Sequence, residues 1–184
     1  MQENAALVNY QILCKKVSEK FEQIQKKYSQ HLSCGRGCSQ CCVRDITVND
    51  VERAVIAAYL HLHPQVRMQL ELEKKAGPEE NKCEFLLRDR SCAIYESRPI
   101  VCRSHGVPLN LSEREAGNTP AERQIDVCPL NFSQSAGQRV LEVLDQNDTI
   151  NLRTLNTILA VINSQYRGDR EMVRYRLTLG SILF

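Results

Sequence analysis

The sequence predicts a mainly α protein, in which a helical scaffold carries a small irregular and β-hairpin region. Two observations support this fold class: apolar residues recur with helical spacing in long segments near both ends, and the middle is rich in turn formers and cysteines. A length of 184 residues, with 42% hydrophobic and 25% charged residues, suits one globular domain. We therefore predict a single domain spanning residues 1–184.

The first element is a long helix at residues 5–32. Its apolar residues recur at steps of three and four, which produces one continuous stripe: Leu7, Tyr10, Cys14, Val17, Phe21, Ile24 and Tyr28. Because Cys14 falls on this stripe, we interpret it as a small buried hydrophobic residue. Gly35 and Gly37 end the helix and begin a cysteine-rich turn.

A second helix follows, with its apolar face between residues 51 and 62. Asn49 and Glu52 have the spacing of a capping box at its start. Pro64 ends this helix or begins the next one, which we place at about 65–75.

The middle of the chain is predicted to be irregular. Residues 83–95 indicate a small hairpin that turns at 88–91 and brings Cys83 and Cys92 together. Residues 103–127 contain several glycines and prolines, which favours an irregular or short hairpin insertion.

Two helices are predicted near the end of the chain, at about 136–146 and 149–167. Asp148 is a candidate N-cap for the second helix, and Gly168 is its expected stop. After them, residues 172–184 are expected to form a short helix with an apolar end that docks on the core. The helices at both ends of the chain are expected to pack on the cysteine-rich middle.

Cysteine is the unusual feature of the composition, with nine residues. A disulfide framework fits poorly, because the number is odd and the N-terminal residues lack the pattern of a secretory signal. Metal ligation fits better, since thiolates are ligands that zinc and iron select. Cys38 and Cys41 have the spacing of a metal knuckle, and Cys34 precedes Cys38 by four residues. We therefore predict that residues 34–128 form a metal-binding region.

Ligand counting favours two metal sites. Setting Cys14 aside leaves eight cysteines, and a closed zinc site or an iron–sulfur cluster usually takes four thiolates. The alternatives are two mononuclear sites, one cluster plus one zinc, or a binuclear site with bridging sulfur. The candidate ligands are Cys34, Cys38, Cys41, Cys42, Cys83, Cys92, Cys102 and Cys128.

Some ligand positions stay open at this point. The side chains of adjacent residues rarely converge, so we expect Cys41 or Cys42 to serve a second ion, to bridge two ions or to be merely packed. His105 could replace a sulfur, because it follows Cys102 at a ligand-like spacing. His31 is a weaker candidate.

Arginines accompany the cysteine segments. Eight thiolates around two divalent ions leave a net charge of about −4, which is costly to bury without compensation. Arg98 and Arg103 are the best candidates to offset it, because they lie beside Pro99 and Cys102. Two more, Arg36 and Arg44, flank the first cysteines, and we expect Arg88 and Arg90 to be solvated.

The pattern CGRGCSQCC followed by CEFLLRDRSCAIYESRPIVCRSHG resembles the YkgJ-type cysteine-cluster family of bacterial proteins. The resemblance covers about residues 34–105, and Cys128 is expected to belong to it as well. It implies zinc or iron chelation by the eight cysteines, without one settled activity. Some relatives are described as iron–sulfur oxidoreductases, and flagellin lysine-N-methylase carries a similar cluster.

The leading hypothesis is therefore a metal-chelating protein that binds zinc, iron or an iron–sulfur cluster. The alternative is an iron–sulfur oxidoreductase or a methylase-like enzyme, for which Tyr95, His105 and Asp126 are candidate acid or base groups. Whether the protein is an enzyme stays open.

Metal ions are the expected partners of this protein. Composition argues against two other classes of partner, nucleic acids and membranes. A net charge of +2 and 5% aromatic residues disfavour nucleic acid. The apolar stretches are far shorter than the roughly 20 residues that span a bilayer, so no membrane association is expected. Together with the missing secretory pattern, this predicts a cytoplasmic protein.

Overall fold

The computed structural model describes residues 4–35, 37–43, 45–77, 79–112 and 124–183. Within them the chain is mainly helical, which confirms the predicted fold class. The helices are α1 (Ala5–Lys27), α2 (Asp50–Leu62), α3 (Pro64–Lys75), α4 (Ile100–Ser104), α5 (Ser135–Glu142), α6 (Leu152–Arg167) and α7 (Leu179–Leu183). The strands have two residues each: β1 (Thr47–Val48), β2 (Leu109–Asn110), β3 (Ile125–Asp126), β4 (Ile150–Asn151) and β5 (Tyr175–Arg176).

The contacts between residues divide the chain into two compact units. The first unit comprises Met1–Tyr10, Gly35–Pro99 and Ile162–Phe184, and the second comprises Gln11–Cys34 and Ile100–Val161. The single folding domain that the length suggests therefore stays a prediction.

The first unit is built around α2, α3 and α7. Its core contains apolar side chains from these helices, from β1, from the residues between β5 and α7, and from the segment that follows α3: Val48, Ile56, Leu60, Leu70, Phe85, Ile94, Leu177, Leu179 and Ile182. Strands β1 and β5 pair antiparallel, with Val48 opposite Tyr175. The predicted C-terminal helix is confirmed as α7, but β5 before it was not expected, because its partner lies far away in the sequence.

Local signals account for α2 and α3. The Asn49 side chain accepts a hydrogen bond from Glu52 N, and the Glu52 carboxylate accepts one from Asn49 N, both at 3.2 Å. This is the predicted capping box. Pro64 is the first residue of α3, where a missing N–H costs nothing.

The predicted hairpin at residues 83–95 is confirmed, although its two arms are too short to be assigned as strands. Leu87 N donates to Ser91 O and Ala93 N donates to Phe85 O, both at 2.8 Å. A single bridge links Leu86 and Cys92. Because Phe85 is fully buried, this turn is anchored to the core of the first unit.

The second unit contains a three-stranded sheet in the order β3–β2–β4. Strand β2 pairs antiparallel with β3 and parallel with β4, with Leu109 opposite both Asp126 and Ile150. The β2–β3 pair confirms a hairpin within 103–127, while residues 113–123 lie outside the described residues. Cys14 of α1 is buried, as predicted.

Three predicted helix boundaries are wrong. Helix α1 ends at Lys27 rather than at 32, and a 3₁₀ turn at Ser29–His31 follows it. Helix α5 covers Ser135–Glu142 and so ends before 146. Helix α6 begins at Leu152 rather than at 149, because Ile150 and Asn151 pair with β2.

Asp148 is not the N-cap of α6, contrary to the prediction. The cap is Asn151, whose side-chain oxygen accepts a hydrogen bond from Thr154 N at 2.8 Å. The predicted stop is confirmed, since Gly168 has φ +62° and donates from its N–H to Ser164 O at 3.0 Å.

Asp148 instead joins α1 to the 3₁₀ turn at Gln146–Asp148. Its carboxylate accepts hydrogen bonds from Lys27 Nζ at 2.6 Å and from Tyr28 OH at 2.7 Å. Burial would raise the pKa of the Asp148 carboxyl, but these two donors outweigh burial and hold that pKa below its ordinary value. The carboxylate therefore stabilises the folded state in its charged form.

We expect Asp148→Asn to lower the free energy of unfolding by about 1 kcal/mol at pH 7. A depressed pKa contributes stability that is present above the unfolded pKa of about 3.9 and is lost as the pH falls through the folded value. The difference between the two proteins should therefore vanish in acid. Urea titrations between pH 7 and pH 3 test this, with Asp126→Asn on the exposed side of β3 as the control. A difference independent of pH would contradict the assigned role.

Candidate metal centre

The first unit contains five of the candidate ligands, and two consecutive turns present the first three of them. Cys38 N donates to Gly35 O at 3.1 Å, and Cys42 N donates to Ser39 O at 3.1 Å. Gly37 has φ +90°, a conformation that favours glycine. The predicted knuckle is therefore a pair of backbone turns that holds Cys38, Cys41 and Cys42.

Backbone contacts join this knuckle to the hairpin that carries Cys83 and Cys92. Cys83 N donates to Cys42 O at 3.2 Å. One residue further out on each segment, Val43 and Lys82 form a β-bridge. Two cysteines about forty residues apart in the sequence are thus adjacent along paired backbones.

The adjacent thiols of Cys41 and Cys42 share a hydrogen bond. This bond raises the pKa of the Cys41 thiol above its ordinary value, because the proton is held between the two sulfurs. The ion that each thiol serves stays a prediction.

Burial is the main influence on the pKa values of the Cys83 and Cys92 thiols, because both side chains pack against the core of the first unit. It raises the pKa of the Cys83 thiol to about 11 and raises that of Cys92 as well. Cys83 interacts electrostatically with Cys92, and Cys92 with Cys41. Cys41, Cys42, Cys83 and Cys92 lie on the paired knuckle and hairpin segments, and we call them the four-thiol group.

Arg98 is a cation that acts electrostatically on two members of the four-thiol group. Its guanidinium carbon lies 3.8 Å from the centroid of the Tyr95 ring, and its positive charge opposes the rise in pKa at Cys41 and Cys92. The predicted role of Arg98 in offsetting the charge of metal-bound thiolates stays a prediction. Arg88 pairs with Glu73 at 2.8 Å and Arg90 with Glu79 at 3.1 Å, as expected of surface arginines. The predictions for Arg36 and Arg44 lie outside the described residues.

The second unit contains Cys34, Cys102, Cys128 and His105. Asn131, which is only 2% exposed, connects two of the cysteines. Its side-chain amide donates to Cys34 Sγ at 3.2 Å and also to Gly106 O. Its backbone N–H donates to Cys128 O at 2.8 Å. Sequence analysis missed Asn131, for which the only signal is its position three residues after Cys128.

Gly106 is required beside Cys34. Its φ is +112°, and a Cβ atom on it would lie 2.9 Å from Cys34 Sγ. A side chain at residue 106 would therefore press on the sulfur and strain the backbone.

The remaining candidates of the second unit lie near these residues in sequence. His105 is half-buried just after α4, and its N–H donates to Val101 O at 3.2 Å. Arg103 donates to Ser18 Oγ at 3.3 Å. The His31 ring stacks on Phe132 with centroids 5.6 Å apart, an interaction that accounts for this weaker candidate without a metal.

The donors fit zinc or iron in kind. All nine cysteines lie in the described residues and are thiols rather than disulfides. Among the described residues, no three Cys, His, Asp or Glu side chains already converge on one point as a metal site. Coordination would therefore require side-chain rotations that aim the sulfurs at a common centre.

One family model matches residues 33–128, just over half of the 184 residues. It is the CxxCxxCC model, with the description "Putative zinc- or iron-chelating domain". The chain belongs to this family. The match contains all eight candidate cysteines and leaves out Cys14, so the family that the sequence pattern indicated is confirmed at the level of zinc or iron chelation.

No curated protein and no solved structure matches the chain significantly. Among the described residues, the helices are too short or too polar to cross a bilayer.

Proposed function

We propose that this CxxCxxCC protein chelates zinc or iron at two sites. The first site uses the four-thiol group, with Cys38 beside it in the knuckle. The second uses Cys34, Cys102 and Cys128, with His105 as the fourth ligand. The observation that carries the proposal is the backbone pairing of the knuckle with the hairpin, in which Cys83 N donates to Cys42 O at 3.2 Å.

The chemistry of each set supports this assignment. Four thiolates suit a closed zinc site or an iron–sulfur cluster, and three thiolates with one imidazole suit zinc. A bound ion would supply free energy that holds distant segments together. Arg98 would offset the negative charge of the first site. In the second site, Asn131 would orient the Cys34 sulfur through its N–H···S hydrogen bond.

The proposal implies a reducing compartment such as the cytoplasm, because ligand thiols must stay reduced. Metal ions are then the primary partners. Because four ligands fill each site, we propose a chelating role rather than catalysis at an open coordination position.

Metal analysis of single-cysteine variants tests the two-site assignment. We expect Cys92→Ser and Cys128→Ser each to lose about one equivalent of metal, because each removes a ligand from a different four-ligand site. The double variant should lose both. Elemental analysis together with thiol titration measures ion identity, stoichiometry and unligated sulfur at once, and visible absorbance distinguishes iron–sulfur from zinc.

The matched control is Cys14→Ala, at the buried cysteine on α1 that we place outside both sites. It should keep the full metal content even if it loses some stability. If the folded wild-type chain, purified under reducing conditions, holds no metal with all eight thiols titratable, the proposed function is wrong.

A further inference from the structure

We propose that a cavity in the first unit binds a small monocarboxylate with an apolar body, and that the Lys82 ammonium pairs with its carboxylate. This inference goes beyond metal chelation and does not depend on it. Three features of the cavity carry the argument: its apolar lining, the ion pairs around it and the surroundings of Lys82.

The cavity lies between α3, the hairpin and α7 and has a volume of about 310 Å³. The described residues that line it all belong to the first unit. Its apolar lining consists of four leucines: Leu70, Leu86, Leu87 and Leu179. Because a water molecule in the liquid occupies about 30 Å³, the cavity has room for about ten non-hydrogen atoms. Its size and lining therefore suit a small ligand that is mostly apolar.

Ion pairs surround this apolar lining. Each carboxylate that lines the cavity has a cationic partner, at the following distances: Glu73–Arg88 2.8 Å, Glu84–Lys74 3.6 Å and Glu79–Arg90 3.1 Å. The Glu84 carboxylate also accepts a hydrogen bond from Leu179 N at 3.1 Å, which links the hairpin to the start of α7. The carboxylates are thus matched already, so a cationic ligand would have to compete with the cations of the protein.

Lys82 lines the same cavity and is half-buried. Its ammonium donates one long hydrogen bond, to Ser39 O at 3.4 Å. No ion pair within the described part of the chain joins it to a carboxylate. An ammonium has three N–H donors, so Lys82 has donors available for a ligand. Since a half-buried charge is costly without a counter-charge, an anion at this position is favoured.

The charge balance of the cavity identifies the kind of anion. With Lys82 counted beside the three ion pairs, four cations face three carboxylates, which leaves a net charge of +1. A carboxylate carries one negative charge and matches this balance, whereas a phosphate close to a double charge would exceed it. The four leucines then accommodate the rest of the ligand. Octanoate is a suitable probe, because it has about the number of non-hydrogen atoms that the cavity can hold.

Leucine-methyl NMR of the full chain tests the site directly. On titration with octanoate, we expect the methyl resonances of the four lining leucines to shift together and saturate, with a dissociation constant of about 1 mM or lower. Octanol and octylamine have the same chain length without a negative charge, so they should bind at least about tenfold more weakly. Equal binding of either probe, or no saturable shift in the four leucines, would overturn the inference.

Variants of Lys82 test the recognition of the carboxylate. We expect Lys82→Met to weaken octanoate binding about tenfold, because a charged hydrogen bond is lost, and Lys82→Arg to retain most of it. Octanol binding should be unchanged in both variants, which shows that the cavity is intact. The matched control is Lys75→Met at the exposed end of α3, where the lysine does not line the cavity. Octanoate binding that is equally tight in Lys82→Met and the wild type would refute the role of Lys82, as would an equal loss in the control.

Metal analysis of the same samples keeps this inference separate from the proposed function, because Cys83 both lines the cavity and is a proposed ligand. A wild-type chain that holds metal but shows no saturable leucine shifts would contradict the carboxylate site alone. A chain that binds octanoate but holds no metal would support the carboxylate site and contradict the proposed function.

Discussion

Removal of the bound metal by a strong chelator is expected to destabilise the protein by several kcal/mol. A ligand that binds only the folded chain contributes about 4 kcal/mol at a concentration one thousand times its dissociation constant. Among the described residues, few backbone contacts could take over the role of the ion, because the knuckle meets the hairpin mainly through the Cys83 N–Cys42 O hydrogen bond and the Val43–Lys82 bridge. Without an ion, the knuckle is held against the hairpin by these backbone contacts, by the hydrogen bond from Lys82 Nζ to Ser39 O at 3.4 Å and by the packing of Cys83 and Cys92 against the core.

Urea denaturation with and without a chelator measures this loss, and added zinc or iron should restore the original midpoint. The variant lacking both Cys92 and Cys128 sulfurs is the matched control, because it should already unfold at the lower midpoint and respond little to the chelator. If elemental analysis shows complete metal removal while the midpoint does not move, the ions do not hold the fold together.

Gly106→Ala is expected to lower the free energy of unfolding by about 2 kcal/mol and to remove the metal of the second site. The positive φ of +112° accounts for part of the loss, since backbone strain of this kind costs about 1–3 kcal/mol. The new methyl group would also stand 2.9 Å from Cys34 Sγ. Moving that sulfur would break its hydrogen bond with Asn131 and withdraw it from the proposed ligand set.

Gly168→Ala separates the two causes, because Gly168 has φ +62° and nothing lies within 4 Å of a Cβ built on it. It should lose stability from backbone strain but keep all its metal. Thermal unfolding and elemental analysis of both variants test the comparison. Equal metal content in the two variants would argue against Cys34 as a ligand.

Much of the local structure could be predicted from the sequence. The capping box of Asn49 and Glu52, the start of α3 at Pro64 and the stop at Gly168 depend on neighbours within four residues, so the sequence states them directly. The candidate cysteines are equally visible, because sulfur chemistry and spacing belong to residue types. The family match then agreed with the pattern they form.

Contacts between distant residues could not be predicted in the same way. The pairing of β1 with β5 and of β2 with β4 brings together residues at least forty positions apart, and two-residue strands leave almost no periodic signal. The same pairing moved the start of α6 and gave its cap to Asn151 instead of Asp148. Asn131 lies at the second proposed site only because the fold brings its side-chain amide within hydrogen-bonding distance of Cys34 Sγ.

The amino-acid sequence alone indicated the helical class, the capping box of α2, the stop of α6 and the cysteines proposed as ligands, since these follow from residue type and short-range spacing. Tertiary packing divided the candidate ligands between two units, joined the Cys41 and Cys42 thiols and set Gly106 against Cys34. Those outcomes depend on which distant backbones meet. That is a property of burial and loop closure over the whole chain, and no short segment encodes it.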